Sequence, residues 1–452
     1  MSERAVRSIC VVGDGIVGLS AALAIGRAFP TVTMSILGTT SDPAAMAELL
    51  PATLPTVGRF HAAIGFDELD LVRRGIAQHH LGTRFGGAQP WLHSFGEVGR
   101  PEGAVAFHQL WLRAHGEGRA LPFEQYSPAS MIGAAAKFVH PSADASSPLS
   151  TYLYGLRFNA QRYREALDLA AGEVPRVAGE VLAIERSSDW RIAALRLSDD
   201  RRLAADLYLD CSGPRAIVHR LIASRFDDWS KWITPTAATI TIAGSSTPDP
   251  LDFAEQDADG WSLTATAPGV ETQTRLGRCG ESLKSGRLTE PFRHNVLALG
   301  DAAVALDPLL GLNLSLAHNA ILRAIELMPG RDMNPLELAE YNRLTEREQL
   351  RARDARMLLE PSFDELPDTL ARTLEQWRAR GRLPFFEEEL LTPSSWAQLL
   401  IGRGILPRAV APLTGQVDSD AAAEAMARYA AGIADLAASI PPYPAYLATM
   451  GA

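Results

Sequence analysis

The N-terminus combines an apolar segment, a glycine-rich turn and a helical segment, and this order limits the possible folds most strongly. Residues 8–12 read SICVV, residues 13–18 read GDGIVG, and residues 19–29 are rich in Ala and Leu. Residues 32–37 then read VTMSIL, a second apolar segment with the character of a buried strand. Strand, glycine turn, helix and strand in this order predict a parallel βαβ unit.

The three glycines of the turn match the spacing of a dinucleotide-binding motif. Gly13 permits the tight turn, Gly15 lets the backbone approach a pyrophosphate, and Gly18 allows the helix to pack closely on the strand. Ile16 and Val17 lie in the same turn and are assigned to the cofactor with it, and the helix that begins at Leu19 would offer its free N–H groups to the phosphates. The alternative is a turn with a structural role only. The strand after this helix ends without the Asp or Glu that commonly binds a ribose, so the residue that would bind the ribose stays open.

Two later segments indicate that the dinucleotide is FAD. Residues 207–213 read LYLDCSG and residues 296–303 read VLALGDAA, and both have the character of strands that end near an acid and a glycine. Asp301 can accept a hydrogen bond from a ribityl chain, and a later turn can present N–H groups to the flavin pyrimidine edge, where negative charge develops on reduction. The alternative for Asp301 is an ordinary helix N-cap. The residues of the later turn that we assign to the cofactor are Pro308, Gly311, Leu312 and Asn313.

The chain, with 452 residues, is long enough for two or three packed lobes. Strand-like segments between residues 181 and 267 favour an antiparallel sheet, and the chain after residue 312 has mainly helical character. We therefore predict an α/β (α+β) fold, in which a Rossmann-like FAD-binding domain is interleaved with an antiparallel-sheet substrate domain and followed by a helical C-terminal lobe. The predicted boundaries are 1–60, 150–225 and 290–330 for the FAD-binding domain, 61–149 and 226–289 for the substrate domain, and 331–452 for the lobe.

Charge and cysteine content exclude several classes of protein. The net charge is -10 and no run of Lys or Arg occurs, so no basic face for nucleic acid is predicted. The three scattered cysteines form no CxxC pair, which favours a reducing compartment over a disulfide framework. No apolar run approaches the roughly 20 residues that span a bilayer, and no secretory signal is evident. We predict a cytoplasmic protein without a membrane or a metal partner, because no cluster of His, Cys and carboxylates has metal-ligand spacing.

The sequence from about residue 8 to residue 360 resembles the FAD-dependent tryptophan halogenases and their monooxygenase relatives. The resemblance implies a fold like that of hydroxybenzoate hydroxylase, with FAD as cofactor and O2 as cosubstrate. It further implies that the flavin is reduced by NAD(P)H directly or through a separate flavin reductase, and captures O2 as a C4a-hydroperoxide. Besides the glycine turn, the resemblance rests on residues 52–56 (ATLPT), 154–163 (YGLRFNAQRY), 210–213 (DCSG), 300–303 with 307–308 (GDAA, DP), and 341–343 with 353–354 (YNR, RD).

Two departures from the halogenase pattern favour hydroxylation. Halogenases carry a lysine before a Leu-Gly or similar pair, and the matching segment here, residues 78–85 (QHHLGTRF), has His80 at that position. Halogenases also carry a Trp-x-Trp-x-Ile-Pro segment, of which residues 260–265 keep only Trp261. Imidazole titrates near pH 6.5 and suits proton transfer better than the chemistry of a primary amine. His80 would therefore protonate the leaving flavin alkoxide or deprotonate the ring intermediate; the alternative is a histidine that only packs.

The resemblance implies an aromatic substrate, and we predict His79, Phe85 and Trp261 in its pocket. The predicted reaction is hydroxylation of an electron-rich ring, most simply Trp. Halogenase-like proteins without the lysine include enzymes that act in making protein-derived quinone cofactors, so the Trp could belong to a peptide, as in quinohemoprotein amine dehydrogenase. Two alternatives stay open, a halogenase that acts on an indole or a phenol, and a flavoprotein maturation factor that inserts no oxygen. The sequence leaves the position of attack and the oligomeric state open.

Overall fold

The computed structural model describes residues 5–244, 247–362 and 365–451. Within these ranges every strand lies before residue 306, and the regular elements after that point are helices. Among the described helices, none combines the length and the apolar character that crossing a membrane requires.

The strands contain many β-branched residues, which fit a pleated surface well. β1 (SICVV) and β13 (TAATITIA) are examples. In chain order the strands are β1 (Ser8–Val12), β2 (Thr33–Gly38), β3 (Ala77–His80), β4 (Gly82–Phe85), β5 (Trp91–Ser94), β6 (Gly155–Phe158), β7 (Arg176–Ala178), β8 (Val181–Arg186), β9 (Ile192–Leu197), β10 (Arg202–Leu203), β11 (Leu207–Asp210), β12 (Phe226–Asp228), β13 (Thr236–Ala243), β14 (Leu251–Asp257), β15 (Gly260–Ala267), β16 (Val270–Gly277), β17 (Glu281–Leu283), β18 (Gly286–Leu288), β19 (Phe292–Arg293), β20 (Val296–Ala298) and β21 (Val304–Ala305).

Several helices begin at a side chain that accepts from a free backbone N–H, as Asn159 does at α7 and Thr392 at α12. In chain order the α-helices are α1 (Ile16–Ala28), α2 (Met46–Leu49), α3 (Val57–Ile64), α4 (Glu68–Arg73), α5 (Phe107–Gly116), α6 (Pro128–Ala134), α7 (Ala160–Ala171), α8 (Ile217–Leu221), α9 (Asn313–Glu326), α10 (Pro335–Met357), α11 (Asp368–Arg380), α12 (Pro393–Gly402), α13 (Ser419–Ser439) and α14 (Tyr443–Met450). Short 3-10 helices span Phe123–Tyr126, Pro148–Thr151, Gly213–Arg215, Gly300–Ala302, Pro308–Leu310 and Pro412–Gln416.

The chain divides into two compact units, of which the first comprises Met1–Leu71, Phe158–Ala238 and Cys279–Gln349. Its main sheet has the order β19-β20-β11-β1-β2-β7, and its neighbours pair in parallel except β19 with β20. Helix α1 connects β1 to β2, and its residues Ile16 to Ile25 are buried. The βαβ unit predicted from the sequence is therefore present. A central parallel strand such as β1 is buried on both faces, which explains its nearly continuous apolar sequence.

The second unit comprises Val72–Arg157, Thr239–Arg278 and Leu350–Ala452. It contains a sheet in which β16, β15, β14, β4 and β5 are neighbours in that order. These strands pair antiparallel except β14 with β4, which run parallel. One core of this unit packs Leu81, Phe138, Tyr152, Leu251 and Tyr443 together, so that residues far apart along the chain share one apolar cluster.

The predicted fold class is confirmed: a Rossmann-like sheet assembled from separate chain segments, a largely antiparallel second sheet, and a helical C-terminal region. One strand is shorter than the sequence suggests. β20 ends at Ala298, because Gly300 has a φ of 62° and the chain turns there into the 3-10 helix that contains Asp301. The finer domain boundaries stay a prediction.

The burial of β11 predicts which leucine substitutions the first unit tolerates. Leu209 is fully buried and lies opposite Val11 and Leu297, whereas Leu169 on α7 is 76% exposed. We expect L209A to lower the free energy of unfolding by about 2–5 kcal/mol, because the truncation leaves a cavity. The matched variant L169A should change it by less than about 0.5 kcal/mol. Urea denaturation measures both, and equal effects would contradict the packing described for β11.

Candidate active site

The glycine turn after β1 depends on close backbone contacts in the first unit. Gly13 has a φ of 120°, and a Cβ there would meet the backbone carbonyl of Cys211. A Cβ on Gly18 would overlap the carbonyl oxygen of Gly13. The N–H of Gly13 donates to the carbonyl of Leu37 at 2.9 Å, which ties the turn to the end of β2. The first and third glycines of the motif are therefore required by contacts within the protein itself.

The N-terminus of α1 holds a carboxyl group supplied by the chain, and burial raises the pKa of this group, Glu48. The carboxylate of Glu48 accepts from the N–H of Ile16 and, at 3.0 Å, from the N–H of Val17. Gly15, the N-cap, contributes no side chain, and a Cβ on it would overlap this carboxylate. These amides are the donors that we predict for a pyrophosphate. Because they bind a carboxylate between them, the turn fits the phosphates of FAD.

A cavity of about 270 Å³ opens beside this turn within the first unit. Asp14, Glu48 and Arg164 lie among its lining residues. Asp14 Oδ2 pairs with the Arg164 guanidinium at 2.9 Å, and it lies 3.5 Å from the position that a Cβ on Gly38 would take. Gly38 is the strand end at which a ribose-binding acid is missing. Asp14 therefore supplies a carboxylate at the place where the sequence pattern lacks one.

Asp301 and Asn313, which the sequence analysis assigned separately, contact each other. Asp301 Oδ1 accepts from Asn313 Nδ2 at 3.0 Å, and its Oδ2 accepts from the N–H of Ala47 at 2.8 Å. Asn313 also donates to the carbonyl of Leu306 at 2.9 Å. Burial raises the pKa of Asp301 to about 7, and the nearby Glu48 adds to the increase. The side chain therefore bridges two segments, which an ordinary N-cap would not do.

The turn before α9 leads into a helix start that no side chain caps. The 3-10 helix Pro308–Leu310 is capped by Asp307, whose side chain accepts from the N–H of Leu309, and Gly311 follows with a φ of 61°. α9 then starts after Leu312 without a side-chain cap. The N–H groups of Leu309 and Gly311 are paired within the turn, the latter with the carbonyl of Pro308, so donors toward a ligand would come from the first turn of α9. The assignment itself stays a prediction.

In the second unit, His80 belongs to a buried ionic cluster. His80 Nε2 lies 3.3 Å from Asp252 Oδ2, and the guanidinium of Arg157 pairs with the same oxygen. All three side chains are about 4% exposed. Burial alone would raise the pKa of Asp252, but the charges of Arg157 and His80 outweigh burial, and the pKa lies below its usual value. Asp252 therefore stays ionised, and Nε2 of His80 lies within ion-pair distance of it.

Both ring nitrogens of His80 are buried, and neither makes a hydrogen bond with a described residue, although Nε2 lies within ion-pair distance of Asp252. His93 is also buried, and burial together with the charge of His80 lowers its pKa to about 4. His93 is therefore neutral near pH 7. The buried ring nitrogens without a hydrogen-bond partner among the described residues thus include Nε2 of His93 as well as those of His80.

The remaining pocket candidates lie in two aromatic clusters of the second unit. His79 stacks on Phe138 with ring centroids 3.8 Å apart, and its Nδ1 is 3.0 Å from the hydroxyl of Tyr443. Phe85 stacks on its neighbour across the sheet at 4.3 Å and meets Trp261 edge-on at 5.9 Å. The structure thus brings Phe85 and Trp261 together and places His79 with the C-terminal helix α14. Their contact with a substrate stays a prediction.

Comparison with known proteins agrees with this geometry. The model of the family described as tryptophan halogenase matches residues 8–266 and 270–419. The tryptophan 7-halogenase RebH of Lentzea aerocolonigenes is 22% identical over 388 residues, which cover 74% of this chain and 72% of that protein. BrvH, a flavin-dependent halogenase from Brevundimonas sp. BAL3, superposes with a TM-score of 0.90 at 26% identity, over 99% of each chain. Xcc4156, a flavin-dependent halogenase from Xanthomonas campestris, gives a TM-score of 0.89 at 24% identity, again over 99% of each chain.

The raised pKa of Asp301 predicts how the stability of the cofactor-free protein depends on pH. With a pKa of about 7 in the folded state, Asp301 holds a proton that an unfolded Asp releases near pH 4. The contribution of Asp301 to stability should therefore fall from about pH 4 to about pH 7, by up to about 1.4 kcal/mol per pH unit, and should stay constant above about pH 7. D301N removes this contribution, so the stability of the variant relative to the wild type should rise with pH across that range.

Urea denaturation at several pH values measures this difference. The variant D368N, at an exposed position in the first turn of α11, should keep the pH dependence of the wild type. Parallel pH profiles for D301N and the wild type would show that the pKa of Asp301 does not change on folding, which would contradict the raised value.

Proposed function

Because the chain belongs to the tryptophan halogenase family, we propose that it is an FAD-dependent enzyme that halogenates an electron-rich aromatic ring of an indole or a phenol. The observation that carries this proposal is the family match, which extends over both compact units. The similarity to a flavin-dependent halogenase at 26% identity supports it further. The comparisons support halogenation better than the hydroxylation that the sequence analysis favoured.

We assign the binding of FAD to residues of the first unit. The N–H groups of Ile16 and Val17 would bind the pyrophosphate, and Asp301 would accept from the ribityl chain, with Asn313 fixing its orientation. Asp14 would bind the adenosine ribose beside Gly38. Bound FAD, once reduced, would supply the activation of O2. NAD(P)H or a separate flavin reductase would supply the electrons.

Hydroxylation is the second candidate, and the His80 cluster favours it. Asp252, held ionised by Arg157, lies 3.3 Å from Nε2 of His80, and we assign to Nδ1 of a neutral His80 the removal of a proton from the ring carbon under attack. An imidazole bound in this way suits a general base, whereas the resemblance places a primary amine at this position in halogenases. A Trp residue of a peptide, modified during the formation of a quinone cofactor, would be a substrate of this second reaction.

A product analysis separates the two reactions. The protein, supplied with FAD, NADH, a flavin reductase, oxygen-18 gas and bromide, is incubated with tryptophan, simple indoles, phenols and Trp-containing peptides. Halogenation predicts a product with the isotope pattern of bromine that disappears without bromide. Hydroxylation predicts a product that carries oxygen-18 and does not depend on bromide. FAD binding without either product would contradict both proposals and favour a maturation factor that inserts no oxygen.

The role of His80 is tested by its removal. We expect H80A to lower kcat by on the order of 10²–10⁴-fold, as loss of a general base or acid does, and to leave the affinity for FAD unchanged. Steady-state kinetics on the substrate found above and an FAD titration provide the two measurements. The variant H115A, at an exposed position on α5, should retain both values. An unchanged kcat in H80A would remove His80 from the reaction.

A further inference from the structure

We infer that Glu48 closes the phosphate site of the cofactor-free protein, so that FAD binds only after this carboxylate leaves the N-terminus of α1. The inference rests on the proposed FAD site and adds a residue that lowers the affinity for the cofactor. It concerns Glu48 itself, which no sequence motif points to.

The carboxylate occupies the position of a phosphate group in three respects. Its two oxygens accept from the successive N–H groups of Ile16 and Val17. It lies over Gly15, where a Cβ would overlap it, in the space that the second glycine of this motif leaves for a pyrophosphate. It also lines the cavity of about 270 Å³ beside the turn. A phosphate at the same donors would coincide with the carboxylate.

Charge makes the two anions exclude each other. The positive end of α1 and its free N–H groups stabilise one negative group at this position. The cavity has one arginine close by, Arg164, and this side chain already pairs with Asp14 at 2.9 Å. Asp301 also lies close enough for the charge of Glu48 to act on it. A pyrophosphate and an ionised Glu48 held together there would repel each other, so binding of the first requires departure of the second.

The short helix α2 links this exchange to the other end of the proposed site. Glu48 contacts the phosphate turn, and its neighbour Ala47 donates to Asp301 at 2.8 Å. α2 has only four residues, and no side chain caps its start. When Glu48 leaves the phosphate turn, the movement of this single helical turn therefore reaches Asp301, the carboxylate that we assign to the ribityl chain. A flavin held against such a competitor binds less tightly, which suits a protein that receives reduced flavin from a separate source.

The affinity for FAD of the purified protein, measured by quenching of flavin fluorescence, tests the inference without any substrate. We expect E48A to bind FAD more tightly than the wild type by on the order of 10-fold, because the competing anion is gone. E48Q keeps the shape of the side chain without its charge and should give an intermediate affinity. Without FAD, E48A should unfold at a lower temperature than the wild type, and this difference should disappear at saturating FAD. The variant E337A, at an exposed position in the first turn of α10, should match the wild type throughout.

Three outcomes would overturn the inference. If both E48A and E48Q bind FAD more weakly than the wild type, Glu48 holds the cofactor. If they bind FAD as tightly as the wild type, the departure of Glu48 costs no free energy. Either result leaves the proposed function intact. No binding of FAD by the wild type or by the variants would overturn the proposed function together with the inference.

Discussion

The close approach of helix α1 to strand β1 is the contact on which the first unit depends. A side chain on Gly18 would collide with the backbone of Gly13, and a side chain on Gly13 would collide with that of Cys211. With these three segments in backbone contact, α1 points its N-terminus at the end of the parallel sheet. The free N–H groups there attract a negative group whatever its source. The absence of Cβ atoms at Gly13 and Gly18 therefore permits both the packing of α1 on the sheet and the position of its N-terminus at the cofactor site.

The features that the sequence analysis predicted correctly are local ones. The glycine turn and the segment around Asp301 each lie next to a strand, so a short window contains the whole signal. The contact between Asp301 and Asn313, twelve positions apart, was not predicted from the sequence. Glu48 could not be found in this way, since α2 is a single turn without a periodic pattern. Asp252 could not be found either, because its place beside His80 depends on how distant strands pair.

In the His80 cluster, the charge that residue 80 can carry depends on its two charged neighbours. Burying Asp252 costs free energy that Arg157 offsets, and an imidazole fits beside this pair in either protonation state. A lysine at the same position would add a full positive charge next to Arg157 and would leave the single carboxylate shared between two cations. The identity of residue 80 and the presence of its two charged neighbours are thus parts of one electrostatic arrangement. This arrangement is the reason why the family match alone does not decide between a halogen and an oxygen as the transferred group.

The parallel pairing of β4 with β14 has a consequence for how the protein is made. The two strands align Gly82 with Leu251, and the chain between them includes the whole segment Phe158–Ala238 of the first unit. Closing a loop of about 170 residues costs conformational entropy, and this cost arises before the contacts between β4 and β14 can offset it. On the ribosome, β4 emerges long before its partner exists. Its edge toward β14 stays unpaired while the segment Phe158–Ala238 of the first unit is made, and such a delay favours mispairing and slow folding.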